Sequence, residues 1–144
     1  SRGSIDKGRS FPLILFKNIG NLKNTNLISL QKNDGVEQIK EIKNIFPLVD
    51  FGNELDKEEN FLDTAGIMKN LDLIITSDTS IAHLAGSLGC KVWILLQYIP
   101  DWRWLLNINY TKWYPTMKIF RQKKINDWNS VFKEAEKELI KIIN

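Results

Sequence analysis

A chain of 144 residues, 43% hydrophobic and 26% charged, suffices for one domain with a buried core and has a globular composition. No apolar run approaches the ~20 residues that span a membrane and no apolar signal core opens the chain, which predicts a cytoplasmic protein without a membrane span. The net charge of +3, with lysines alternating with acids near the C-terminus, argues against a nucleic-acid surface, and the single Cys90 excludes an internal disulfide.

Residues 1–10 are polar and carry two glycines, a composition that predicts a flexible lead-in. Phe11 to Ile19 is apolar with Pro12 near its start, as in the first turn of a helix. Leu27 to Leu30 reads as a strand and Asn33-Asp34-Gly35 as the turn after it. Val36, Ile39, Ile42 and Ile45 then recur at helical spacing up to Pro47. Leu48 to Phe51 is a short strand, and residues 52–60 form a charged loop. Asp63 is a candidate N-cap for a helix carrying Ile67, Met68 and Leu71. Leu73 to Thr76, Lys91 to Leu96 and Met117 to Arg121 read as strands. The last segment, residues 126–144, is an amphipathic helix capped by Asp127, with an apolar face of Trp128, Val131, Phe132, Ala135, Leu139 and Ile142.

Strands that alternate with helices through short connections predict an α/β fold: a single domain over residues 1–144, a three-layer, Rossmann-like parallel sheet with helices on both faces. The runs at 73–76 and 92–96 are apolar throughout, as strands covered on both faces should be. Such a domain usually opens with a buried strand. This chain opens with a polar loop, so its first strand is expected to be missing.

The richest stretch is 78–89, Asp-Thr-Ser-Ile-Ala-His-Leu-Ala-Gly-Ser-Leu-Gly, which follows an apolar run directly. It reads as strand, tight turn and helix. A carboxylate, two hydroxyls and the free N–H groups of a helix start thereby come to the carboxyl end of a strand, the usual ligand position in open α/β sheets. His83 stands four residues after Thr79, on the same helical side. Two readings stay open: a phosphate site, or a helix cap formed by Asp78, Thr79 and Ser80 alone. His83, the sole histidine, is either ligand-facing or a core residue bonded to a carbonyl.

The segments Phe-Leu-Asp-Thr-Ala (61–65), Asn-Leu-Asp-Leu-Ile-Ile-Thr-Ser-Asp-Thr-Ser-Ile-Ala-His-Leu-Ala-Gly (70–86), Pro-Asp-Trp-Arg-Trp (100–104), Trp-Tyr-Pro-Thr-Met (113–117) and Phe-Arg-Gln (120–122) occur in this order. With Arg9-Ser10 and Ile-Ser-Leu-Gln-Lys (28–32), they resemble the C-terminal region of bacterial glycosyltransferase-like proteins that often carry tetratricopeptide repeats upstream. Those proteins are related to glycosyltransferase family 9, the heptosyltransferases, and more remotely to O-GlcNAc transferase. The resemblance covers nearly the whole chain. It implies the C-terminal, nucleotide-sugar-binding half of a GT-B enzyme, whose N-terminal half usually supplies the acceptor site and general base. The partners implied are a nucleotide-sugar donor, that acceptor domain and the upstream repeats.

The same resemblance implies roles. Asp78 would contact sugar hydroxyls, Thr79, Ser80 and Ile81 would contact the diphosphate, and His83 would sit beside it. Asp78 and His83 are thus the candidate catalytic pair. Ser80 departs from the glycine of the heptosyltransferases. Arg9 stands where related enzymes place a cation against the donor phosphates, though a terminal charge in solvent reads equally well. Gln31 ends a strand and could face the cleft with Lys32. Glu37 is either the ribose-binding acid or a surface helix charge, and Asp63-Thr64-Ala65 either caps its helix or lines the nucleotide end.

Four of the five tryptophans fall within residues 93–113. Pro100-Asp101-Trp102-Arg103-Trp104 and Trp113-Tyr114-Pro115 form an aromatic loop after a strand, which either packs against its own domain, with Arg103 paired to Asp101 or a carbonyl, or stacks on sugar rings or bases or covers the acceptor half. The chain has no Asp-x-Asp, no His/Cys cluster and no Gly-x-Gly-x-x-Gly. The expected mechanism is metal-independent and inverting, with no cofactor, and the chain alone is expected to be inactive. The rival reading is a degenerate, non-catalytic module for protein interaction.

Overall fold

The computed structural model describes residues 8–57 and 60–143. Residues 1–7 of the expected lead-in lie outside that set. Pro12 stands just before a 3-10 turn, Leu13–Phe16, that passes into the short helix α1, Lys17–Gly20. Then come β1 (Ile28–Ser29), α2 (Glu37–Ile42), β2 (Val49–Asp50), α3 (Leu62–Met68), β3 (Ile74–Thr76), α4 (Ser80–Ser87), β4 (Val92–Leu96), β5 (Met117–Arg121) and α5 (Trp128–Ile143). Every ladder between named strands is parallel, in two groups of order β1-β2 and β3-β4-β5. The architecture is a mixed α/β fold of generic Rossmann-like topology.

β4 shows why both faces are covered. Its five residues are all buried, and they alternate between two cores. Val92, Ile94 and Leu96 join Met68 of α3 and Ala82 and Ala85 of α4 on one face. Trp93 and Leu95 join Ile19 of α1 and Trp128, Val131, Phe132 and Ala135 of α5 on the other. Phe11 and Phe16 brace α5 from the side, with Phe11 edge-on to Trp128 and Phe132 at 5.0 Å and Phe16 edge-on to Phe132 at 4.9 Å. Asp127 caps α5, accepting the Ser130 N–H at 3.2 Å. From the solvent side Glu138 ties α5 to β5. Its carboxylate accepts from Lys118 at 2.7 Å and from Lys141 at 2.6 Å, and these bonds hold its pKa down at about 2.

Three expectations need correction. Asp63 is not the N-cap of α3. Phe61 occupies that position with φ 58°, and Asp63 lies in the first turn. The cap comes instead from upstream. Asp56, 4% exposed, accepts the N–H groups of Asp63 at 2.9 Å and Thr64 at 3.2 Å and the Thr64 hydroxyl at 2.5 Å, while Asp63 returns a bond by accepting the Asp56 N–H at 2.9 Å. Seven residues separate the two acids, too far for a local capping rule to connect them. The α2 stripe is also thinner than its spacing suggests: Ile42 is buried, but Val36 and Ile45 are exposed, one before and one after the helix, which spans only Glu37–Ile42. Ile142, placed on the buried face of α5, is 54% exposed because it borders an open slot in the sheet.

Burial alone would raise the Asp56 pKa. The hydroxyl of Thr64, the two N–H groups and Lys32 outweigh it and hold the carboxyl below its ordinary value. An acid so depressed contributes stability that is present above its unfolded pKa and lost as pH falls through the folded one. Asp56→Asn, which tolerates the left-handed backbone of this position (φ 47°), should cost about 1–2 kcal/mol in urea unfolding at pH 7. Below the Asp56 folded pKa the difference from the parent should vanish; a gap that persists there would show that the carboxylate is not the source.

Candidate functional site

The segment after β3 folds as its sequence suggests, with one difference. Thr79 is the N-cap of α4 in extended conformation (φ −137°, ψ 174°), yet no side chain caps the helix. The Thr79 hydroxyl lies 3.4 Å from that of Thr76, whose own O–H can donate to the Ser77 carbonyl at 3.2 Å. The capping reading of Asp78, Thr79 and Ser80 therefore does not describe the turn. The first turn of α4 is left open at the carboxyl end of a sheet strand, where its N–H groups favour an anion.

Asp78 and His83 come together. Asp78 is 7% exposed, and its Oδ1 lies 3.9 Å from His83 Nε2. The imidazole is held on its other sides as well. Nδ1 shares a hydrogen bond with the Tyr114 hydroxyl at 3.0 Å, and the ring stacks on Trp104 at 5.4 Å and 24°. His83 is thus a partly exposed side chain in a built pocket of aromatic rings, and its partner is a hydroxyl rather than a backbone carbonyl. Gly86, one turn on, makes this possible: a Cβ there would lie 2.5 Å from Tyr114 Cγ. Only a residue without a side chain lets the tyrosine ring lie against α4 and reach His83.

The aromatic loop divides between the two readings made for it. Trp104 is buried, while Trp102 is 75% and Trp113 64% exposed. Arg103 does pair with Asp101: the Asp101 carboxylate accepts the Arg103 backbone N–H at 3.0 Å and Nε at 2.8 Å. Those two bonds hold Asp101 below its ordinary value, and the side-chain bond raises Arg103, with the charge of Asp78 adding to it.

Three donors at this edge went unrecognised from sequence. Trp104 Nε1, Arg121 Nη1 and Gln122 Nε2 are buried and have no hydrogen-bond partner among the described residues. Arg121 donates its other Nη2 to the Trp104 carbonyl at 3.2 Å, and burial lowers its pKa. Gln122 uses its oxygen for the N–H groups of Tyr98 and Asn126, at 3.2 and 3.1 Å. Arg121 and Gln122 end the β5 region, so these orphan donors lie on the same carboxyl side of the sheet as Asp78. Buried donors without partners are rare. In sequence these three fall in two of the quoted segments, Trp104 in Pro-Asp-Trp-Arg-Trp and Arg121 and Gln122 in Phe-Arg-Gln, and nothing local shows that their side-chain donors are buried.

The other expected residues scatter. Thr79, Ile81 and Gln31 also border the slot between the two strand groups. Ser80, the first residue of α4, is exposed. Gln31 spends its amide on the Asp34 carbonyl. Glu37 is exposed and accepts the Gly35 N–H at 3.0 Å, a local turn bond. Arg9 is half-buried. It follows Gly8, whose φ of 81° and closeness to Gln97 and Asn126 bring the segment to the carboxyl edge of β4 and β5. Among the described residues no group of three or more His, Cys, Asp or Glu could hold a metal ion, and no helix is long and apolar enough to cross a membrane.

Compared with known proteins, the chain matches no protein-family model, no curated protein and no solved structure.

The Gly86 contact gives a paired test. Gly86→Ala should destabilise by about 1–3 kcal/mol through overpacking and should change the near-ultraviolet signal of Tyr114 and Trp104. Gly66→Ala, in α3 where an added Cβ meets nothing within 4 Å, should stabilise by about 0.5–1 kcal/mol from helix propensity. Equal effects at both sites would show that the Tyr114 packing does not constrain α4.

Proposed function

We propose that the chain is the nucleotide-sugar-binding half of a GT-B glycosyltransferase, inverting and metal-independent, in which the groups that activate the acceptor lie on another domain. The single observation that carries this reading is the uncapped start of α4 beside the Asp78–His83 pair at the carboxyl end of β3. Transfer displaces a nucleoside diphosphate from the anomeric carbon, so negative charge grows on the leaving phosphate. The open N–H groups at Ser80 and Ile81 and the Thr79 hydroxyl answer that charge without reorganising. Asp78 accepts from sugar hydroxyls. His83, held by Tyr114 and Trp104, stands beside the phosphate and carries a proton to it when charged. Arg9 brings a cation to the same edge. The acceptor hydroxyl loses its proton to a base outside this chain, so the chain binds donor and does not turn it over.

A second reading, a non-catalytic interaction module, is favoured by one feature: Ile99, Trp102, Leu106 and Trp113 expose large apolar side chains along the segment between β4 and β5. Isothermal titration with UDP, GDP and ADP separates the two. The sugar-nucleotide reading expects saturable binding of at least one nucleotide, weakened tenfold or more by Asp78→Ala and by Thr79→Val and unchanged by Glu37→Ala. Absence of binding to all three, or binding indifferent to Asp78, overturns it.

A further inference from the structure

The two strand groups belong to one layer with a gap in it. Leu27, beside β1, packs in the same core as Leu73 and Ile75, and Leu30 in the same core as Ile74, Val92 and Ile94. β1 and β3 therefore send alternate side chains to the same two faces, yet no ladder joins them. Between them lies a cavity of about 980 Å³ walled by residues 24–31 on one side and 70–77 on the other. β2 reaches β3 through α3, the kind of crossover that joins parallel strands.

The backbone says what the gap would hold. Ile74 donates its N–H to the Lys91 carbonyl, and Leu27 accepts from Val49, so these residues face β4 and β2 respectively. Backbone groups alternate sides along a strand. Those of Ile75, and those of Ile28 and Leu30, consequently point into the gap from its two walls. An apolar small molecule would leave these groups unpaired, whereas a strand would pair both rows. The size agrees: a residue of a strand covered on both faces takes roughly 160 Å³, from a rise of about 3.3 Å, a strand spacing of about 4.8 Å and a layer spacing of about 10 Å. The cavity accommodates on the order of six. The exposure of Ile142, whose side chain borders it, has the same origin.

We propose that this gap is the seat of one more parallel strand, an apolar extended segment that enters from the amino-terminal side of Gly8. Ser10 and Phe11 border the cavity. Gly8 sits at Gln97, just beyond the carboxyl end of β4, where a Cβ would meet Gln97 Oε1 at 3.5 Å. A segment that leads into Gly8 at that edge has its own carboxyl end there, which makes it parallel to β1 and β3. The filled layer has the order β2-β1-new-β3-β4-β5, the doubly wound arrangement whose direction reverses beside β3. The strand thereby completes the crevice in front of Thr79. This inference stands on the cavity and the two strand edges, independently of the sugar-nucleotide reading.

The test extends the 144-residue chain with Val-Ile-Val-Leu-Val ahead of Ser1 and keeps residues 1–7 as the connector, a reach of roughly 23 Å. Amide exchange of Ile28, Leu30 and Ile75 should slow at least tenfold, while that of Ile74, already paired to Lys91, changes far less. An extension with proline at its second and fourth positions should give no such protection. Anilinonaphthalene sulfonate should fluoresce with the unextended chain and lose at least half of that signal with the extended one. Unchanged exchange at the three amides, equal protection by the proline control, or undiminished dye signal overturns the proposal. Protection that appears only in a sedimenting dimer overturns the entry of the segment from its own chain. None of these readouts depends on nucleotide.

Discussion

The structure depends on the burial of β4 along its whole length. Five consecutive residues without solvent contact need a cover on each face, and the alternation of side chains assigns them: Val92, Ile94 and Leu96 to the α3 and α4 side, Trp93 and Leu95 to the α1 and α5 side. The neighbouring ladders to β3 and β5 follow from the same requirement, since a fully buried strand must pair both rows of its backbone groups. Once β4 is placed, the carboxyl ends of β3, β4 and β5 are brought to one edge, and the Asp78 turn, Gln97 and the Arg121-Gln122 pair arrive there together.

At that edge the geometry is set by close packing more than by charge. Gly86 admits Tyr114 against α4, Tyr114 holds one nitrogen of His83, and Trp104 covers the ring face. The other nitrogen is left toward Asp78. This places an imidazole beside a nearly buried carboxylate and next to a helix start that no side chain closes, a combination suited to an anionic ligand carrying hydroxyls.

Legibility differed by element. β4, β5, α5 and the strand–turn–helix around Asp78 were readable because long apolar runs, a 3.6-residue stripe and an Asp cap are local signals. The Asp101–Arg103 pair was readable for the same reason, two residues apart in a short loop. The cap of α3 was misassigned because its acceptor, Asp56, lies outside any local capping window, behind a loop that folds back. The turn bond that Glu37 accepts from Gly35 lies two residues away, yet nothing in the sequence marked it. Tyr114 could not be tied to His83 from sequence, for 31 residues separate them.

The sequence by itself determined the alternation of strands and helices, the doubly covered character of β4 and the chemistry of the Asp78 turn, all of which rest on neighbours within a few residues. Tertiary structure alone decided that Asp78 meets His83, that Gly86 is a contact site for Tyr114, and that β1 and β3 stand apart with their backbone groups facing a gap. Those outcomes depend on how separately formed elements pack. Packing distances and the partners of backbone groups across a sheet leave no period in the chain to read.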